Sequence, residues 1–132
     1  MRVLIVGEQV EPHALVGALE AAGAELERPP EDELAAASGD QVAELTGALL
    51  AFDRLLGDNP PDGVLLVSAS NLALAAVLVA SKLQIPVATL AQEAPAGPAS
   101  DLNRRLVEQL ADGTVADDPA TIAASLRDLI AA

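Results

Sequence analysis

Residues of the types that chemistry requires gather at three places in this chain: Glu8, Gln9 and Glu11; Ser68, Ser70 and Asn71; and Gln92 with Glu93. Paired carboxylates can exchange a proton with a bound substrate. Hydroxyls beside the free N–H groups of a helix start can hold an anionic group, and clustered acids can take a hard cation. Each pattern has a plainer reading. Ser68, Ser70 and Asn71 suit the cap of a helix, while Glu8 with Glu11, like Asp117 with Asp118, suits a helix start, where negative charge is favoured. Neither serine has a base or elbow glycines beside it, so a nucleophile is not expected. His13 is the single histidine and cysteine is absent, which leaves no zinc set, no thiolate and no disulfide frame.

Around these residues the chain alternates short apolar runs with helical patterns. Arg2–Val6 reads as a strand, and Pro12 opens a helix carrying Leu15, Ala18, Leu19 and Ala22 on one face, stopped at Gly23. Ala24–Arg28 reads as a weak edge strand ended by Pro29 and Pro30. Glu31–Ala37 suggests a helical turn, and Ser38-Gly39-Asp40 caps a helix with Val42, Leu45, Leu49, Phe52 and Leu56 on one stripe. Gly63–Val67 is uniformly apolar and short, as suits the middle of a parallel sheet covered on both faces.

The helix expected over Leu72–Leu83 is apolar on every side, which points to a contact with another chain or another domain, most simply a homodimer. Ile85–Leu90 is a fourth strand, and Ala91–Ser100 reads as a loop. Asp101–Ala111 follows as a helix with Leu102, Leu106 and Leu110 in register on one stripe, stopped by Gly113. Thr114–Ala116 is a brief fifth strand, and Asp117 or Asp118 caps a last helix with Pro119 in its first turn and Ile122, Leu126, Leu129 and Ile130 inward. Alternating strands and helices imply right-handed crossovers. The expected fold is therefore an α/β/α sandwich in three layers, a Rossmann-like or flavodoxin-like parallel sheet of about five strands in the order 2-1-3-4-5. Any ligand belongs at the carboxyl ends of the strands, near the switch point between strands one and three.

Composition narrows the function. The 132 residues suit one domain, with a core tiled from Leu, Val, Ile and Ala because aromatics make up 1% of the chain. Flavins and nucleobases usually rest on aromatic surfaces, so no such cofactor is expected. A single glycine in the first turn fails the dinucleotide fingerprint. Twenty acidic residues against seven basic ones give a net charge of −13, which repels nucleic-acid backbones and anionic membranes. The apolar run after Met1 is short for a signal peptide and no stretch is long enough to span a membrane, so a cytoplasmic protein is expected. A receiver domain shares the strand order, but the end of the third strand supplies no phosphoaccepting Asp and the fifth no Lys.

Several of these segments resemble the amino-terminal domain of the non-hydrolysing UDP-N-acetylglucosamine 2-epimerases. Val64–Val67, Leu74-Ala75-Ala76, Ile85-Pro86-Val87 and Asn103-Arg104 match that family's strand, alanine-rich helix, Ile-Pro-Val and Asn-Arg at about the right intervals. Gly7 and Glu11 match its first turn. The resemblance implies ligand-binding roles for Gly7, Gln9, Ser68, Ser70, Asn71, Asn103 and Arg104. What chemistry remains would fall to Glu11, Glu93 and Asp101. The departures are as informative: the family's first-turn Arg becomes Gln9, its His-Gly-Asp becomes Val67-Ser68-Ala69, and its loop Glu becomes Ala91. The span from Gly23 to Asp40 is short by about one strand–helix unit, and the carboxyl-side domain of the family is expected to be missing.

The resemblance and its departures together give an expectation of a catalytically silent, epimerase-like homodimer without metal or cofactor, which binds a partner protein or a small anionic or sugar ligand. One half of a split UDP-sugar epimerase or glycosyltransferase-like enzyme, meeting a separately encoded partner domain, is the alternative, with a purely structural or regulatory dimer behind it.

Overall fold

The strand β1 (Arg2–Val6) lies inside a five-stranded parallel sheet with β2 (Glu25–Glu27) on one side and β3 (Gly63–Leu66), β4 (Val87–Leu90) and β5 (Gly113–Val115) on the other. The order β2-β1-β3-β4-β5 is the one expected from sequence. The computed structural model describes residues 1–7, 12–21, 23–29, 41–90, 98–115 and 118–131. Between the strands run α1 (Pro12–Ala21), α2 (Gln41–Asp58), α3 (Asn71–Lys82), α4 (Pro98–Leu110) and α5 (Pro119–Ala131). Three of these helices begin on proline, whose fixed φ and missing N–H suit the first helical position. The expected turn at Glu31–Ala37 and the cap at Ser38-Gly39-Asp40 lie outside the described residues.

Side chains alternate along each strand and so build two cores. Leu4, Val6, Val64, Leu66 and Val87 face α2, α3 and α4, packing with Phe52, Leu56, Ala76 and Val107. Val3, Ile5, Leu65, Ala88 and Val115 face the other way, onto Leu19 of α1 and Ile122 and Leu126 of α5. With helices on both faces, every residue of β3 and β4 is buried, which is why those runs carry no polar alternation. A Cβ on Gly63 would lie 3.0 Å from Ile130 Cδ1 of α5, so the glycine lets that side chain pack closely on the strand.

Two acids clamp the amino ends of the strands. Asp62 Oδ2 accepts the Arg2 N–H at 2.7 Å while the Asp62 N–H donates to the Arg2 carbonyl at 2.8 Å. Asp112 repeats the pattern with Val87 at 2.7 and 2.8 Å. Both aspartates precede the glycine that opens a strand, so each Asp-Gly pair starts a strand and ties it to its neighbour at once. Arg2 then forks onto Glu27 (2.9 and 3.0 Å) and reaches Asn59 Oδ1 at 3.1 Å, fixing the edge strand to the turn before β3.

The structure corrects three features of the sequence reading. α4 begins at Pro98, inside the segment read as a loop. Leu102 and Leu106 do not face inward: they are 50% and 38% exposed, and the inward positions belong to Asn103 and Val107. Val42 is 73% exposed in the first turn of α2, so the buried part of the stripe is completed by Phe52 and Leu56 without it. The all-round apolar character of α3 also has a source within the chain. α3 packs in one core with α2, α4 and the sheet, and Ala73–Val77 and Ala80 are all buried there.

Candidate functional site

At the switch point the carboxyl ends of β1 and β3 meet through Gly7 and Ser68. Gly7 adopts φ +112°, and a Cβ there would collide with Ser68 Oγ and lie 3.1 Å from the Ser68 backbone nitrogen. Only glycine lets the chain leave β1 at that angle and come so close to Ser68. Just above β3 the Val67 N–H donates to the Val6 carbonyl at 3.0 Å, extending the pairing to the switch point. Ser68 itself is half-buried.

Ser70 caps α3. Its Oγ accepts the Ala73 N–H at 3.2 Å, with extended backbone at the cap, as a helix start requires. The next residue, Asn71, joins three helices: its Nδ2 donates to Gln41 Oε1 of α2 at 2.6 Å, and its Oδ1 accepts from Asn103 Nδ2 of α4 at 3.0 Å. Asn103 is 9% exposed, so its amide is a buried polar group satisfied by another side chain. Gln41 is a functional candidate that sequence reasoning misses; its place as the first residue of a helix is the one signal available.

Asp101 lies one turn before the Arg104–Arg105 pair on α4. Its Oδ1 meets Arg104 Nη2 at 2.9 Å and its Oδ2 meets Arg105 Nε at 3.2 Å, so each carboxylate oxygen faces a guanidinium. Arg104 Nη1 also approaches Glu108 Oε2 at 3.6 Å. Arg104 Nε is buried and has no partner among the described residues. Asp101 and Arg105 are partly open to water, and such pairs contribute little to stability individually.

The site residues expected from sequence thus divide. Gly7 and Ser68 come together at the switch point, and Ser70, Asn71 and Asn103 cluster where α2, α3 and α4 converge. Asp101 and Arg104 pair with each other. Gln9, Glu11 and Glu93, with Glu8, Gln92 and Asp117, lie outside the described residues. Asp118 caps α5 by accepting the Thr121 N–H at 3.1 Å. Among the described residues no group of three or more His, Asp or Glu side chains could hold a metal ion, and no helix is long and apolar enough to cross a membrane.

Strand order and burial of both sheet faces define a Rossmann-like α/β domain. Its likeness among solved structures is to UDP-N-acetylglucosamine 2-epimerases. The UDP-GlcNAc 2-epimerase of Methanocaldococcus jannaschii superposes with a TM-score of 0.72 at 22% identity, over 97% of this chain and 42% of that one. S. aureus MnaA, in a co-structure with UDP, gives 0.69 at 19% identity over 96% and 40%. The enzyme from Neisseria meningitidis, bound to UDP-GlcNAc, gives 0.63 at 18% over 97% and 43%. The likeness is one of fold, and this chain spans less than half the length of those proteins. No protein-family model matches the sequence, and no curated protein does.

Proposed function

We propose that this chain is a catalytically silent domain on the epimerase scaffold, acting by binding at the carboxyl ends of its strands. The observation that carries the reading is the state of the polar groups there. Asp101 is paired to Arg104 and Arg105, and the amides of Gln41, Asn71 and Asn103 are joined to one another. Acid–base work on a sugar needs carboxylates free to meet substrate from opposite sides. Held this way, the described groups position one another and do not carry protons. The same scaffold supports recognition of a partner protein or a small anionic or sugar ligand through Gly7, Gln9, Ser68, Ser70, Asn71, Asn103 and Arg104, in the cytoplasm. The test is turnover of UDP-GlcNAc by the purified chain, with the M. jannaschii enzyme as positive control. Conversion above the blank overturns the reading.

The reading includes a homodimer. Because α3 is enclosed by its own chain, the surface that favours the contact is the exposed Leu102–Leu106 pair on α4. Sedimentation of a monomer at all concentrations contradicts this part alone.

A second reading, one half of a split epimerase or glycosyltransferase-like enzyme, rests on the likeness of fold to the M. jannaschii enzyme. Glu11, Glu93 and Asp101 would then carry the chemistry once a separately encoded half closed the cleft. Co-purification from the native cell separates the two readings: recovery of a second, nucleotide-binding chain supports the split enzyme, and recovery of this chain alone counts against it.

A further inference from the structure

We propose that a second site, at the amino end of the sheet and remote from the switch point, binds a small organic cation: a protonated amine on a short aliphatic body. A cavity of about 450 Å³ opens there between Ser81, Gln84, Ile85, Pro86, Leu110, Asp112 and Leu129. Its volume falls in the range of small-molecule sites, roughly 300–1,000 Å³. Ile85, Pro86, Leu110 and Leu129 supply an apolar wall, while Ser81, Gln84 and Asp112 supply the polar groups.

The sign of the expected charge follows from three features. Ser81, Leu110 and Leu129 stand in the last turns of α3, α4 and α5, so residues from three helix carboxyl ends line one cavity. Each such end carries partial negative charge. Lysine or arginine usually offsets it, yet α4 and α5 have no basic residue in their last turns, and Lys82 of α3 is exposed and does not line the cavity. Asp112 adds a full negative charge. Its Oδ2 accepts the Val87 N–H at 2.7 Å, and the carboxylate makes no ion pair among the described residues. A ligand with an ammonium for Asp112 and methylenes for Leu110 and Leu129 fits both walls. An anion fits neither.

The test is titration of the whole chain with n-butylammonium chloride, followed by methyl NMR, against n-butanol and against sodium chloride at equal ionic strength. Saturable shifts confined to Ile85, Leu110 and Leu129 are expected with the ammonium and not with the two controls. Asp112→Asn keeps an oxygen for the Val87 N–H and is expected to weaken binding about tenfold, as loss of a charge-assisted contact does. Ser81→Lys, on an exposed helical position, leaves the clamp untouched and is expected to block binding with a tethered ammonium. Equal shifts with n-butanol, shifts spread over the acidic surface, or unchanged affinity in Ser81→Lys would overturn the proposal. The outcome is independent of the switch point, which lies at the other end of the sheet.

Discussion

Asn103 donates its side-chain N–H to Asn71 Oδ1 across 3.0 Å, and through that bond the second turn of α4 is tied to the first residue of α3. Asn103 sits on the helix face that a core residue would otherwise take, beside Val107. Replacing it with alanine leaves the Asn71 carbonyl unpaired at the rim of the core. Asn103→Ala is expected to cost about 1–3 kcal/mol. Asn103→Ala and Asn71→Ala together should cost less than the sum of the two, a coupling that urea denaturation of the four variants measures.

Gly7 presents a different constraint. Its φ of +112° and the collision that any Cβ would make with Ser68 Oγ both oppose a side chain there. Gly7→Ala is expected to lower stability by about 1–3 kcal/mol. Adding Ser68→Gly removes the collision with Oγ but neither the 3.1 Å approach to the backbone nitrogen nor the strained φ, so thermal melts should show partial recovery only.

At the end of α3 the opposite change is favourable. Gln84 has φ +61°, and the bonds Ile85 N–H to Ala80 O (2.9 Å) and Gln84 N–H to Ser81 O (3.3 Å) close the helix. Gly23 closes α1 by the same two-bond pattern, with φ +89°. Gln84→Gly is therefore expected to raise stability by up to about 1 kcal/mol, read as a higher urea midpoint at unchanged slope.

The clamp between Asp62 and Arg2 is exposed, so its loss is milder than that of a buried bond. Asp62→Ala is expected to cost about 0.5–1.5 kcal/mol. Hydrogen exchange should locate the effect: faster exchange of the Arg2 amide, with the β4 and β5 amides unchanged.

Leu102→Glu with Leu106→Glu replaces two exposed leucines and should leave the melting temperature within about two degrees of wild type. If these side chains meet a second copy, sedimentation equilibrium will show the variant as a monomer at concentrations where the wild type is dimeric.

The sheet is readable from sequence because its strands are buried on both faces and so appear as unbroken apolar runs, bounded by glycine and proline. Gly63–Val67 and Arg2–Val6 are the clearest cases. Facing is harder. Leu102, Leu106 and Leu110 repeat at helical spacing, but Asn103 and Val107 repeat at the same spacing one position on, and a buried asparagine gives no hydrophobic signal. The apolar circumference of α3 is ambiguous in the same way, since a helix flanked by two others has no wet face to reveal and reads like an interface. Of the candidate site, Gly7, Ser68, Ser70 and Asn71 are legible because a turn and a cap demand those residue types. The partner of Asn71 on α2 is not, because one glutamine at a helix start carries no distinguishing pattern.

Proton exchange at the sugar C2 tests the central claim, catalytic silence, most directly. Purified chain is incubated with UDP-GlcNAc in deuterium oxide, beside a UDP-GlcNAc 2-epimerase as control, and the sugar nucleotide is weighed by mass spectrometry. No deuterium above the protein-free blank is predicted, because Asp101 is paired with two arginines and the neighbouring amides are bonded to one another. Incorporation of one deuterium at C2 by this chain alone would contradict that claim.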